Sequence, residues 1–295
     1  TIPFYIFYSM FGFQRIGDLA WAAGDSRTRG FLLGATAGLT TLNGEGLQHE
    51  DGHSHLLSAT IPNCVSYDPC FAYELAVIVQ NGLYRMIENQ EDVYYYITIM
   101  NENYSHPDMP KGVEDHIIKG MYQFSKASGK AKNKVQLMGS GVILREVIEA
   151  AQLLESDWGV ESNVWSVTSF TELRRNALDV ERHNLLNPDD EQRSFIQEQI
   201  TDTESPIIAS TDYMKSFSDQ IANFVPNSFT SLGTDGFGRS DSREALRSFF
   251  EVDRYYVVLA ALKALKDQGK IDKKVMSEAI KKYNINPSKI NPALS

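Results

Sequence analysis

Only two cysteines, Cys64 and Cys70, occur in 295 residues, too few for a disulfide framework and without a second pair for a zinc ribbon. That scarcity points to a reducing compartment, and the expected location is the cytoplasm. Long apolar runs are missing too. The best candidate, Thr1 to Phe13, is interrupted by Pro3, Ser9 and Gly12 and falls short of the ~20 residues that cross a bilayer. A basic segment ahead of it, which a secretory signal would need, is also absent. Cationic residues are the minority: 28 Lys and Arg against 38 Asp and Glu give a net charge of −10. Such a surface repels phosphate backbones and anionic headgroups, so neither nucleic acid nor a membrane is an expected partner. No solenoid or propeller repeat and no low-complexity tract appears.

What remains is an ordinary globular composition, 42% hydrophobic and 22% charged, in a chain long enough for about two domains of roughly 150 residues each. Thr1 to Phe7 (TIPFYIF) reads as a buried strand and Phe11 to Ala23 as a helix. Because the chain opens on strand-like residues without an initiator Met, a piece of a longer protein is expected. Phe31 to Ala35 is short and apolar, and Thr36 to Pro69 reads as a long polar loop, the first place to look for a site. Phe71 to Met86 is a helix and Val93 to Ile99 a strand buried on both faces. The Pro- and Gly-bearing stretch Asn101 to Gly112 marks a domain boundary near residue 110.

From Lys134 onward strands (KVQLMGSG, NVWSVTS, PIIAST, FTSLG) alternate with helices over Leu144 to Leu154, Thr171 to Leu186 and Met214 to Phe224. This rhythm implies α/β architecture, a mostly parallel sheet flanked by helices in each half. A capping box over Asp241 to Glu244 is expected to open the terminal helices, and Gly269 to close the helix over Tyr255 to Lys266.

Chemistry concentrates in Asn43 to His55 (NGEGLQHEDGHSH), where three of six histidines and three carboxylates share thirteen residues. Groups this crowded tune one another's protonation and can reach a ligand. The alternatives are a solvated polar loop and a metal site of His49, His53 and His55. Asp51-Gly52 favours a turn over the i, i+4 geometry that would hold zinc on a helix. Among Phe4, Tyr5, Phe7, Tyr8, Phe11 and Phe13 core packing is the default, but Tyr8 and Phe11 lie three apart at a strand-to-helix junction, where they can project over a pocket. The glycines at 139–141 and 233–238 read as tight β-to-α turns, since neither run completes a dinucleotide fingerprint or a P-loop. No nucleophile elbow is present, and neither cysteine sits where a helix would activate it.

Four strings, TIPFYIFYSMFGFQRIGDLAWAAGD, TTLNGEGLQHEDGHSHLLSATIPNC, VYYYITIMNENYSHPDMP and SLGTDGFGRSDSREALRSFFEVD, resemble the C-terminal third of homodimeric pyruvate dehydrogenase. That family is the thiamine-diphosphate-dependent decarboxylating component of the bacterial pyruvate dehydrogenase complex, within the transketolase superfamily. The resemblance covers the whole chain. It implies that residues 1–110 are the later part of a pyrimidine-binding middle domain and 111–295 a transketolase-type C-terminal domain. It further implies a homodimer that decarboxylates pyruvate and reductively acetylates the lipoyl domain of dihydrolipoyl acetyltransferase. Tyr8 and Phe11 match the residues beside the aminopyrimidine ring, and His49 matches an active-site histidine that faces the substrate-derived intermediate on the thiazolium. Asp51, His53 and His55 rank below them, as groups that order the loop.

The family's G-D-G…N motif for diphosphate and Mg²⁺ has no counterpart here, since Gly24-Asp25-Ser26 is followed by Arg27. The glutamate that activates the cofactor likewise belongs to the missing N-terminal part of the enzyme. The alternative reading is an isolated, non-catalytic dimerisation or docking fragment of that enzyme.

Overall fold

Tyr94–Ile99, with three tyrosines in a row, is too apolar to face water on either side, and in the computed structural model, which describes residues 1–295, it lies inside a four-stranded sheet. The strands are β1 (Phe4–Phe7), β2 (Phe31–Ala35), β3 (Cys64–Tyr67) and β4 (Tyr94–Ile99), all parallel in the order β1-β2-β4-β3. Helices α1 (Phe13–Asp25), α2 (Ser54–Ser58), α3 (Ala72–Leu83) and α4 (Glu114–Lys119) accompany it. The alternation of a strand divides the cover: Tyr94 and Tyr96 pack with Phe13 and Ala20 of α1, whereas Tyr95 and Ile97 pack with Ile78 of α3.

Two expectations change here. The opening strand is not buried, because β1 is the sheet edge with β2 as its single neighbour, and Phe4, Tyr5 and Ile6 are exposed. The polar stretch 36–69 is not all loop. Its CVSY segment forms β3, four buried residues too short to show a period of their own.

The second sheet contains β5 (Met121–Ser125), β6 (Asn133–Gly139), β7 (Val160–Val167), β8 (Ile207–Ser210) and β9 (Phe229–Leu232), ordered β5-β7-β6-β8-β9. All neighbours are parallel except β5, which runs antiparallel to β7 and was not legible as a strand. Around this sheet lie α5 (Leu144–Trp158), α6 (Phe170–Leu186), α7 (Phe195–Gln199), α8 (Ser216–Asp219), α9 (Arg243–Phe249), α10 (Arg254–Asp267) and α11 (Lys273–Lys282). One face packs Leu137, Val164 and Ile208 against α5 and α10, and the other packs Met138, Trp165 and Ala209 against α6.

The helix expected over Met214 to Phe224 shrinks to α8 and a separate turn at Ala222–Phe224. Ser218 turns its hydroxyl back onto the Lys215 carbonyl, a local bond that competes with helix propagation. The cap of α9 is Ser242, whose hydroxyl accepts from Ala245 N–H, rather than a box begun at Asp241.

Polar groups stitch the two sheets together. The buried Glu74 carboxylate of α3 accepts hydrogen bonds from Tyr122 of β5 and Ser166 of β7, each at 2.7 Å. Arg175 of α6 donates to the carbonyls of Cys64 and Ile61. Glu102, just beyond β4, meets Arg145, Arg243 and Arg247.

Candidate active site

In a parallel sheet the carboxyl ends of the strands are where loops gather and ligands bind. At that end of β1 the chain makes a single turn, Ser9–Phe11, drawn close to β2 because Gly34 has no side chain: a Cβ there would lie 2.9 Å from that of Ser9. The Ser9 hydroxyl donates to the Thr36 carbonyl at 3.2 Å. The loop leaving β2 returns through a second short turn, Leu47–His49.

The two turns bring three rings together. His49 stacks on Tyr8 with centroids 5.2 Å apart and meets Phe11 edge-on at 5.1 Å, while Tyr8 and Phe11 are 5.8 Å apart. Arg15 lies over the Phe11 ring. Nδ1 of His49 faces the Glu45 carboxylate at 3.4 Å but makes no hydrogen bond, so a buried polar atom is left without a partner beside an exposed aromatic face on Tyr8. An orphaned imidazole nitrogen next to an open aromatic surface suits a flat heteroaromatic ring and a reacting group that needs a proton or a hydrogen bond.

The remaining loop residues part company. Asp51 is buried and its Oδ1 accepts from Gln14 Nε2 of α1 at 2.8 Å and from the backbone N–H groups of His53 and Ser54 at 3.0 and 2.9 Å. The Ser54 hydroxyl also donates to it. It therefore holds the turn that leads into α2 and ties the His49 loop to α1. His53 lines a cleft of about 720 Å³ with Met10, Leu47, Glu50 and Phe237. His55 is fully buried, its ring stacked on Phe217 at 4.8 Å and its Nε2 3.0 Å from the Thr98 hydroxyl. Burial pushes its pKa down to about 3. The three histidines thus occupy three different environments, and no three His, Cys, Asp or Glu side chains converge to hold a metal ion.

Three carboxyl groups that the sequence did not single out are buried at the junction of the sheets. Burial raises Glu50 to about 8, Asp68 to about 7 and Asp212 to about 6, with hydrogen bonds from Arg239 N–H, the Thr98 hydroxyl and the Thr41 hydroxyl respectively acting against the rise. For Glu50 the only signal in the sequence is its place beside His49.

The architecture defines a class. Over 89% of its length the chain superposes on the transketolase of Campylobacter jejuni with a TM-score of 0.67 at 18% identity, covering 35% of that chain. A split-gene transketolase described as an inactive β4 tetramer matches with a TM-score of 0.60 at 16% identity, over 90% of this chain and 77% of that one. At these identities the likeness concerns the fold alone. The two halves match family models separately, residues 1–107 the "Pyruvate dehydrogenase E1 component middle domain" and residues 120–253 the "Transketolase-like TK C-terminal domain".

Over nearly its whole length the chain is similar to curated pyruvate dehydrogenase E1 components. It is 64% identical over 293 residues to the E1 component of Cupriavidus necator and 61% identical over 297 to that of Escherichia coli K12. These matches take in 99% and 100% of this chain but 33% of each relative, so the chain spans about a third of the curated relatives' length.

Proposed function

We propose that these residues form part of a thiamine-diphosphate-dependent enzyme that decarboxylates pyruvate and passes the acetyl group to the lipoyl domain of dihydrolipoyl acetyltransferase. The observation that carries this is the convergence of Tyr8, Phe11 and His49 at the carboxyl end of the first sheet. When bound, thiamine diphosphate supplies the electron sink that decarboxylation of an oxo acid requires.

This chain's residues do the rest of the work on their side of the cofactor. Tyr8 and Phe11 offer the aminopyrimidine an apolar seat that excludes water and fixes its tilt. His49, with Nδ1 unpartnered and Glu45 within 3.4 Å, donates a hydrogen bond or moves a proton where negative charge develops. Asp51 holds the loop that presents it. Mg²⁺ and the diphosphate are assigned, as the resemblance implies, to the part of the enzyme outside these 295 residues. A second copy of the chain in a homodimer completes the reading, as does a cytoplasmic setting in which the buried thiols of Cys64 and Cys70 stay free.

The test is cofactor titration of the full-length enzyme carrying Phe11→Ala. Removing the ring deletes apolar contact worth about 1.5–3 kcal/mol when fully buried, so thiamine diphosphate affinity should fall roughly tenfold or more. Unchanged affinity would take Phe11 out of the cofactor site.

A further inference from the structure

Tyr8, Phe11 and His49 all come from the first half of the chain, yet one turn of the second sheet is seated against the segment that carries His49. Glu50 is the point of contact. Its side chain is 3% exposed, and Oε2 accepts a hydrogen bond from the backbone N–H of Arg239, which follows the glycine turn beyond β9.

That turn has no room to spare. A Cβ on Gly238 would lie 2.6 Å from Glu50 Oε2 and 2.8 Å from the Leu47 carbonyl oxygen, so only glycine lets the two backbones approach this closely. The turn is buttressed from behind as well. Gly236 has φ +116, and a Cβ there would stand 2.6 Å from the carbonyl of Pro292, a buried residue of the C-terminal tail. Thr234 N–H donates to the Tyr213 carbonyl at 2.9 Å, and Met214 N–H donates to the Gly52 carbonyl at 2.9 Å, on the far side of Glu50 from His49. The His49 segment is therefore gripped by the second sheet at residues 47, 50 and 52. Close contacts thus run from the tail through the Gly233–Gly238 turn to Glu50, the residue that follows His49 in the chain.

We propose that Glu50 is a positioning residue for His49, and that through it the C-terminal half of the chain serves the reaction by holding the histidine in place. This rests on the role given to His49 above. Glu50 touches neither cofactor nor substrate in this reading. It acts by fixing where the preceding residue's ring stands against Tyr8 and Phe11.

The experiment uses the full-length enzyme with Glu50→Leu, Glu50→Gln and Gly238→Ala, each made with His49 present and with His49→Ala. Glu50→Leu removes the acceptor, Glu50→Gln keeps one, and Gly238→Ala pushes a methyl into the seat from the opposite sheet. With His49 present, Glu50→Leu and Gly238→Ala should each lower kcat at least tenfold while thiamine diphosphate affinity moves less than about threefold. Glu50→Gln should retain a third or more of the turnover. In the His49→Ala background none of the three should cost a further threefold. Thermal unfolding of each variant shows whether it is folded, and Gly238→Ala carries the test if Glu50→Leu is not. Equal losses in both backgrounds would overturn the proposal, because Glu50 would then act independently of the histidine. Near-normal turnover of His49→Ala alone would instead overturn the reading on which it rests, and that variant reports it separately.

Discussion

His49 and His55 stand six residues apart and have opposite surroundings. His49 lies against the open face of Tyr8, while His55 is walled in by Tyr96, Tyr213 and Phe217 with no route to solvent. Charging His55 would strand a cation among aromatic rings, which is why its pKa drops to about 3. The sign of the consequence follows. The unfolded chain takes up this proton near the ordinary histidine value of about 6.5, before the folded chain does, so stability is lost as pH falls from there toward 3, at about 1.4 kcal/mol per pH unit from this group. The resonance of a ¹³C-labelled imidazole that disappears in His55→Phe should stay at its neutral position between about pH 8 and pH 5. A titration midpoint near 6.5 would mean that the ring reaches water. Composition could show that histidines crowd this segment but not how they divide, because α2 begins at Ser54 and turns its first residues into the core.

At the scale of elements, the legible parts are those with a clear period or apolar run and those that fall in the strand-then-helix rhythm. Helices α3, α5, α6 and α10 and strands β2, β4, β6, β7, β8 and β9 follow from periodicity, sustained apolar runs or that rhythm. The missed pieces fall outside that rhythm: β3 lies inside the polar stretch 36–69 and β5 is the antiparallel edge strand of the second sheet, so neither stands where strand-helix alternation placed the equally short β8 and β9. The Tyr8, Phe11 and His49 constellation was legible only in part, since spacing pointed to two of the three and the third came from resemblance. Element ends also carry contacts that pattern reading cannot see. Ser169 caps α6 by accepting from Glu172 N–H at 3.0 Å, and its own hydroxyl donates to the carbonyl of Ser66 in β3 at 2.7 Å. Ser169→Ala removes a cap and leaves a buried carbonyl unpaired between the sheets. A loss of about 2 kcal/mol in urea denaturation is expected, and a loss below a few tenths would show that the bridge carries no weight.

The whole molecule is held as one body by charges as well as by its cores. Arg247 is almost fully buried, paired with Glu102 from the first half and 3.6 Å from Glu146 of α5. Arg145 and Arg243 also approach Glu102, and Arg254 approaches Glu146, so each carboxylate keeps a partner if one arginine is lost. Burial alone would raise Glu102, but its arginines hold its pKa below the ordinary value. Arg247→Ala opens a cavity and exposes two acids to each other, and should cost roughly 3 kcal/mol of unfolding free energy read by tryptophan fluorescence. A negligible change would mean that the neighbouring arginines close the gap.

The central claim, that the first sheet presents His49 to a reacting centre beside an aromatic cofactor seat, is tested most directly by turnover and cofactor titration of full-length His49→Ala. A donor that acts mainly in the transition state contributes to rate rather than to cofactor affinity, and losing one typically costs ~10²-fold, about 3 kcal/mol. The expected result is a fall of that size in pyruvate turnover with thiamine diphosphate affinity kept within a few fold. Near-normal turnover would contradict it and leave His49 a packing residue between Tyr8 and Phe11.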